Sequence, residues 1–394
     1  GLIHLLLLGV NGAFLTGDLF NLFVCFEVLL LASYALLVQG GGPDRAKYGL
    51  HYVVLNLAGS SLFLLAVATL YGVLGTLNMA DMAVKVAELE PDKAPLVAAA
   101  GLMFLVVFGL KAAMVPLYFW LPRAYASAGA PVAALFAIMT KIGVYAIVRV
   151  YNLIFGEAAG PLDNLIQPWL WPLALVTLML GVVGVLAARD LRMQVSYLVI
   201  VSVGTLLAGV ALGTEAALSA SFYYLAHSTW VAGALYLIVD LIRRQRENGC
   251  DRIKSGAALP QSSLLGLMFL VAAVSIAGMP PLSGFVGKIL LLQAAGTGWT
   301  AVWFWSLILV GGLATITALS RSGSTFFWRT ENRVAKRPKA HFWPLAASLS
   351  LLATSPALAL WGEPVLAYTQ AMAQQLLEPE HYIQAVFNHQ VVGD

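Results

Sequence analysis

The sequence is expected to fold as an all-α polytopic membrane protein. About eleven transmembrane helices are expected, forming two inverted five-helix repeats that each contain a broken helix. Three observations carry that expectation. The 394 residues are 60% hydrophobic and only 10% charged, with a mean hydropathy of +0.85. Apolar runs close to the ~20 residues needed to cross a bilayer recur along the whole chain. Lysine and arginine fall almost wholly in alternate loops. The ~10-residue alternating segments of a transmembrane β-barrel do not occur.

The spans follow in order. The first three, 2–15, 19–38 and 48–74, are apolar runs, and the second carries Glu27 within FNLFVCFEVLLLASY. The fourth, 96–121, contains FGLKAAMVPLYFWLP, interrupted at Pro116 and Pro122. Its Lys111 is the only charge between Ala94 and Pro122. The fifth, 131–155, holds Lys141 in PVAALFAIMTKIGVY. Spans 168–187 and 194–213 come next, then 218–242 with His227 in YYLAHSTWVAGALYLI. The ninth, 262–292, reads SIAGMPPLSGFVGK across Gly278, Pro280, Pro281 and Gly284 before Lys288. Spans 300–320 and 342–362 complete a single transmembrane domain, 1–362. The tail 363–394 is polar, with one short amphipathic helix expected from Leu366 to Leu377. The chain opens at Gly1 inside a hydrophobic run without a starting Met, which reads as an N-terminally truncated fragment. No signal peptide with a basic start and cleavage site is present.

The basic residues give an orientation. Loops after spans two, four, six, eight and ten hold sixteen of the 22 lysines and arginines, from Arg45 to Lys339. The opposite side holds only Lys85, Lys93 and, at a span end, Arg149. So lopsided a split places the basic loops in the cytoplasm and the C-terminus outside.

Proline removes a backbone donor and clashes with the preceding turn. Interrupted helices persist at membrane depth only where protein or a water-lined cavity satisfies the freed groups. The two breaks lie in the fourth and ninth spans, five apart. Five is odd, so the two blocks run in opposite directions, and paired broken helices in inverted repeats point to a translocation site.

Five ionisable residues fall well inside spans: Glu27, Lys111, Lys141, His227 and Lys288. A charge at the bilayer centre costs at least ~2.5–3.5 kcal/mol on insertion scales. One reading is structural, with Glu27 pairing one lysine while the others snorkel or stay neutral. One carboxylate cannot pair three lysines, however, and mid-span lysines are too deep to snorkel easily. The other reading is a proton relay, in which desolvation and a neighbouring carboxylate set each lysine's proton affinity. His227 fits either a relay or a hydrogen-bonded packing role. Arg149 reads as a snorkelling anchor. The tryptophans at 169, 171, 299, 303 and 305 read as an aromatic belt. Cys25 and Cys250 are expected to be free thiols. No glycine fingerprint, Cys/His metal spacing or hydrolase triad occurs, so no cofactor, metal, nucleic-acid partner or enzyme chemistry is expected.

The segments FNLFVCFEVLLLASYALL, FGLKAAMVPLYFWLPRAYASAGAPVAALFAIMTKIGVY, YYLAHSTWVAGALYLI and AGMPPLSGFVGK resemble the antiporter-like subunits shared by respiratory complex I and Mrp-type multisubunit cation/proton antiporters. The wording is nearest to the D subunit of the Mrp system. The resemblance implies a fourteen-span fold with two inverted repeats, of which about three N-terminal spans precede the region covered here. It implies that Glu27 partners Lys111 and that Lys141 is the central lysine. It also implies that His227 lies on the penultimate relay helix and that Lys288 is the terminal titratable group. Many relatives carry lysine four residues after that histidine, where Val231 stands here.

The function this implies is an ion-translocating subunit of a Na⁺(K⁺)/H⁺ antiporter in a bacterial cytoplasmic membrane. Its expected partners are other membrane subunits of one hetero-oligomer, the lipid bilayer, H⁺ and Na⁺ or K⁺. The alternatives are a proton-pumping subunit of an NADH–quinone oxidoreductase, a haem-carrying redox subunit and an inert scaffold subunit. A haem would need facing histidine pairs, and only His227 is mid-span.

Overall fold

Residues 1–391 are described by the structure, a computed structural model. Apolar runs this long can satisfy their backbone in lipid only as helices, and helices dominate. They are α1 (Leu2–Leu15), α2 (Leu19–Val38), α3 (Pro43–Leu74), α4 (Met79–Ala87), α5 (Ala94–Ala112), α6 (Trp120–Ser127), α7 (Ala130–Leu153) and α8 (Gln167–Ala187). Then come α9 (Leu191–Ala211), α10 (Glu215–Gln245), α11 (Ser262–Ala277), α12 (Ser283–Ala294), α13 (Trp299–Gly323), α14 (Phe342–Leu360), α15 (Gly362–Leu377) and α16 (Glu380–Val391). Among the described residues, nine helical segments are long and apolar enough to cross a membrane; α1, α11 and α12 are shorter apolar helices. Each expected span lies on one helix or on a broken pair, α5/α6 or α11/α12.

One expectation needs correction. The tail holds two helices among the described residues rather than one, because α16 follows α15 after a short link; residues 392–394 lie outside the described region. The link between α3 and α5 carries the short helix α4. There Asn78 caps the helix by accepting from Ala80 N at 3.0 Å and Asp81 N at 3.3 Å.

The helix ends explain how the bundle is tied. Asp18 caps α2 by accepting from Asn21 N at 2.9 Å, and its strand-like backbone pairs with Asn78 through Leu19 N to Leu77 O, 2.9 Å, and Met79 N to Gly17 O, 2.8 Å. The same device recurs at the start of α9, where Asp190 pairs with Arg252 through Leu191 N to Asp251 O, 3.0 Å, and Ile253 N to Arg189 O, 2.8 Å. In the first case α2 is bridged to the loop that follows α3, and in the second α9 is bridged to the loop that follows α10.

α8 and α9 pack closely because glycines face backbone. A Cβ on Gly204 would lie 2.4 Å from Leu178 N, and one on Gly181 would lie 2.9 Å from Val201 N. Helices α9 and α10 are buried over most of their length, whereas α13 and α14 turn most of their surface outward.

Candidate functional site

The first break lies between α5 and α6. Here α5 ends on Ala113 in the left-handed region, φ +61°, and Met114 N returns to Gly109 O at 2.8 Å. Pro116 stands in the non-helical stretch that follows. Pro122, by contrast, lies within the first turn of α6, where a missing N–H costs little. The neighbouring helix satisfies the break: Val115 N donates to Thr177 Oγ1 on α8 at 3.0 Å.

Lys111 is therefore in the last turn of a half-helix, where the exposed carbonyl end favours a cation. It is 5% exposed, and its Nζ donates to Asn56 Oδ1 on α3 at 3.2 Å. Helix α7 crosses directly behind it. A Cβ on Gly143 would sit 2.5 Å from Ala112 N and 2.8 Å from the Lys111 carbonyl carbon, so only glycine lets the helices approach this closely.

Glu27 sits half-buried in the middle of α2 and accepts a hydrogen bond from Ser60 of α3. The direct pair expected between Glu27 and Lys111 does not form; no ion pair within 4.0 Å joins them. Their link passes along α3 instead. Ser60 and Asn56 are one turn apart on a single face, the spacing that makes i,i+4 residues neighbours. Asn56 Nδ2 continues the row by donating to Tyr52 O at 2.9 Å, and the Tyr52 hydroxyl meets Ser33 Oγ of α2 at 2.8 Å.

Lys141 is fully buried on α7, which packs against both α5 and α10. Its Nζ donates to Ser202 Oγ of α9 at 2.8 Å and to Thr140 Oγ1 at 3.4 Å. Only hydroxyls hold it, so this amine can release a proton without breaking an ion pair.

The second break, Gly278 to Leu282, separates α11 from α12 and contains Pro280 and Pro281. Gly278 ends α11 at φ +81°, and a Cβ there would lie 2.6 Å from Lys288 Cδ. Lys288 folds back across this glycine to donate to Ala277 O at 2.7 Å, a carbonyl freed by the end of α11.

His227, fully buried on α10, meets Ser283 Oγ through Nδ1 at 2.8 Å. A hydroxyl row continues from Ser283 to Ser355 of α14 at 2.8 Å and from Ser355 to Ser275 of α11 at 2.5 Å. The other ring nitrogen, Nε2, has no hydrogen-bond partner among the described residues. It faces Gly284 in the first turn of α12, where a Cβ would stand 2.9 Å from it and 1.9 Å from Ser275 O. Val231, one turn on, is buried and apolar.

The five predicted groups thus form three stations. Glu27 and Lys111 share the polar face of α3, Lys141 sits with Ser202 and Thr140, and His227 and Lys288 lie at the second break. No direct hydrogen bond joins one station to the next among the described residues. Sequence reasoning missed the residues that hold these groups: Asn56, Ser60, Thr177, Ser202, Ser283 and Ser355. Tyr52, Asn56 and Ser60 carried a readable signal, three polar residues at helical spacing inside an apolar span. Single serines carried none, since a hydroxyl in a helix commonly bonds back to its own turn. Arg149, expected to be an anchor, stacks over the Tyr382 ring of α16 at 4.3 Å. Both cysteines are free thiols, and no group of His, Cys, Asp and Glu capable of holding a metal occurs among the described residues.

Comparison with known proteins converges on one group. Residues 16–317 match the family model described as NADH:quinone oxidoreductase/Mrp antiporter, TM. The probable K⁺/H⁺ antiporter D subunit of Rhizobium meliloti (strain 1021) is 42% identical over 96% of this chain and 75% of its own length. The Na⁺/H⁺ antiporter D subunit of Alkalihalophilus pseudofirmus is 41% identical over 97% of this chain and 76% of its own. A chain in the structure of the Mrp complex from Dietzia sp. DQ12-45-1b superposes with a TM-score of 0.86 at 30% identity, covering 98% of this chain and 79% of that one.

Proposed function

We propose, for a chain that belongs to the NADH:quinone oxidoreductase/Mrp antiporter transmembrane family, that it is the ion-translocating D-type subunit of a multisubunit Na⁺(K⁺)/H⁺ antiporter. The observation that carries this reading is the likeness to two antiporter D subunits over nearly the whole chain. The three buried stations give it a physical mechanism. It is a transporter subunit and not an enzyme, a multi-pass membrane protein that works with other membrane subunits.

In the proposed path a proton is loaded at Lys111, whose amine is held by Asn56 while Glu27 is held by Ser60. It passes to Lys141 between α5 and α10, then to His227 and Lys288 at the second break. Each transfer needs only a rotamer change and a bridging hydroxyl or water, because each amine is bonded to a neutral acceptor. A relay through fixed hydroxyls suits the low-dielectric interior, where charge moves safely only if partners are positioned in advance.

Two matters of arrangement belong to the same proposal. Residues 1–362 form one translocating domain of two inverted five-helix blocks, supported by the repeated bridges Asp18–Asn78 and Asp190–Arg252. The basic loops face the cytoplasm of a bacterial inner membrane, and the tail from 363 onward faces outward, supported by the lysine and arginine asymmetry.

The test is purification of the tagged complex with an inventory of its partners, followed by cation-driven proton movement in inverted vesicles. Mrp-type small subunits and an exchange activity that Lys141→Ala abolishes at normal membrane levels are expected. Co-purification of NADH-oxidising peripheral subunits would transfer the chain to the respiratory branch of the family. Full activity in Lys141→Ala would remove the central station from the path.

A further inference from the structure

Away from the translocation path, the basic face of the molecule holds a cavity of about 370 Å³ between the end of α10 and the segment leading into α14. Arg243, Arg244, Arg337, Lys339 and His341 line it beside apolar Leu241 and Pro344. Local carboxylates do not balance this charge. Asp240 alone takes both Arg243, at 2.8 Å, and Arg244, at 2.6 Å. The Glu247 carboxylate pairs with Arg333 and offers Arg337 only its backbone carbonyl, at 2.5 Å. The side chains of Lys339 and His341 have no partner among the described residues. Four cations therefore surround a space whose described lining contains no carboxylate, and Asp240 beside it pairs with only two of them.

The position of the cavity says what kind of anion fits it. His341 precedes α14 without capping it, so the positive end of that helix is open. Phe342 and Trp343, the first residues of α14, are 70% and 79% exposed, and aromatic rings at the start of an outward-facing apolar span mark the bilayer boundary. Basic pockets between transmembrane helices at that depth lie level with the phosphates of the leaflet. We propose that this pocket binds the phosphate headgroup of an anionic phospholipid, with the acyl chains lying along the outward face of α14. A free anion would use the cations but not the adjoining apolar wall and exposed rings. Arginine forks and a lysine point charge are suited to phosphate oxygens. The bound lipid would brace α14 against α10, the helices that carry Ser355 and His227.

Native mass spectrometry of the purified complex, titrated with phosphatidylglycerol or phosphatidylcholine, tests this. The samples are wild type, the exposed-residue variant Arg337→Gln/Lys339→Gln, and the milder Lys339→Gln. The wild type is expected to retain at least one more phosphatidylglycerol than the double variant, with about a tenfold difference in apparent affinity and none for phosphatidylcholine. Lys339→Gln is expected to fall between them, which keeps the comparison open if the double variant folds poorly. Equal phosphatidylglycerol retention by the wild type and Lys339→Gln would overturn the proposal. So would thermal stabilisation by inorganic phosphate alone that phosphatidylglycerol fails to reproduce, since the occupant would then be a free anion.

Discussion

Lys111 and Asn56 are bonded across α5 and α3 at 3.2 Å, and this contact, not an ion pair, anchors the first buried ammonium. Glu27 is held one turn away by Ser60. Carboxylate and ammonium therefore act on one another through a helix face that both grip. A direct pair would have to be broken before Lys111 could pass its proton on. The amide link needs only a hydrogen bond to be exchanged, and that costs less.

Asn56→Leu should disable the first station. The replacement keeps the volume but leaves a buried ammonium without its acceptor. Hydrogen bonds to charged groups are worth about 1.5–3 kcal/mol, which corresponds to a fall in exchange rate on the order of tenfold or more. Because Glu27 and Asn56 act on the same lysine, Glu27→Gln/Asn56→Leu should be no slower than the worse single variant. Exchange in inverted vesicles across pH 6 to 9 measures all four proteins. Losses that multiply would show two independent residues and end the shared-face account.

Lys288→Ala should abolish exchange while the protein accumulates normally, since Lys288 is the only charged residue from Ser262 to Ala294. Gly278→Ala should do much the same by another route. Its φ of +81° disfavours any side chain, and the added Cβ would lie 2.6 Å from Lys288 Cδ. A cost of at least about 1 kcal/mol in stability should accompany a displaced lysine. Wild-type exchange in either variant would take Lys288 out of the path.

The helices and the two breaks were legible in the sequence because membrane insertion leaves few alternatives. Long apolar runs must be helical, and prolines with glycines mark where they fail. The five ionisable residues were legible because each is costly where it stands. Their immediate partners were not. Asn56 and Ser60 act through an i,i+4 face that only gains meaning once α3 lies between α2 and α5. Ser355 is more than 120 residues from His227 in sequence, so its role is a tertiary fact. Pro122 looked like a second interruption but opens α6, because a proline's effect depends on whether it falls in a first turn or an interior.

Ser355→Ala should slow exchange several-fold without changing assembly. Ser355 is the middle hydroxyl between Ser283 and Ser275, and Ser283 bonds His227. Hydroxyls can donate or accept, so the row can reverse direction, and its direction decides whether Nδ1 or Nε2 of His227 carries the proton. Removing the middle member leaves Ser283 free to turn and costs about 1 kcal/mol of positioning. Ser355→Thr keeps the hydroxyl and should restore most of the rate. Nitrogen-15 NMR of labelled histidine would report the ring tautomer directly. An unchanged rate in Ser355→Ala together with an unchanged His227 spectrum would reduce the row to packing.

The last prediction concerns the loop that joins α10 to α11. Asp251 is 7% exposed, and its carboxylate accepts three bonds from Arg192: the backbone N at 3.0 Å, Nε at 3.1 Å and Nη2 at 3.1 Å. Burial alone would raise the affinity of this carboxyl for a proton. The bonds and charge of the Arg192 guanidinium outweigh that and hold it below its ordinary value. A carboxyl depressed in the folded state stabilises the fold fully above its unfolded value of about 3.9 and loses that contribution as pH falls below it. Asp251→Asn, which leaves Arg192 partly buried without its counter-charge, should destabilise the protein by about 3 kcal/mol at pH 8. Thermal unfolding of the wild-type and variant complexes at pH 8 and again at about pH 2.5, below the unfolded value of the carboxyl, makes the comparison. The gap should be wide at pH 8 and should narrow at the acid end, as the wild type loses what the variant never had. A gap of equal size at both pH values would mean that the Arg192–Asp251 clasp holds the loop by shape and not by charge.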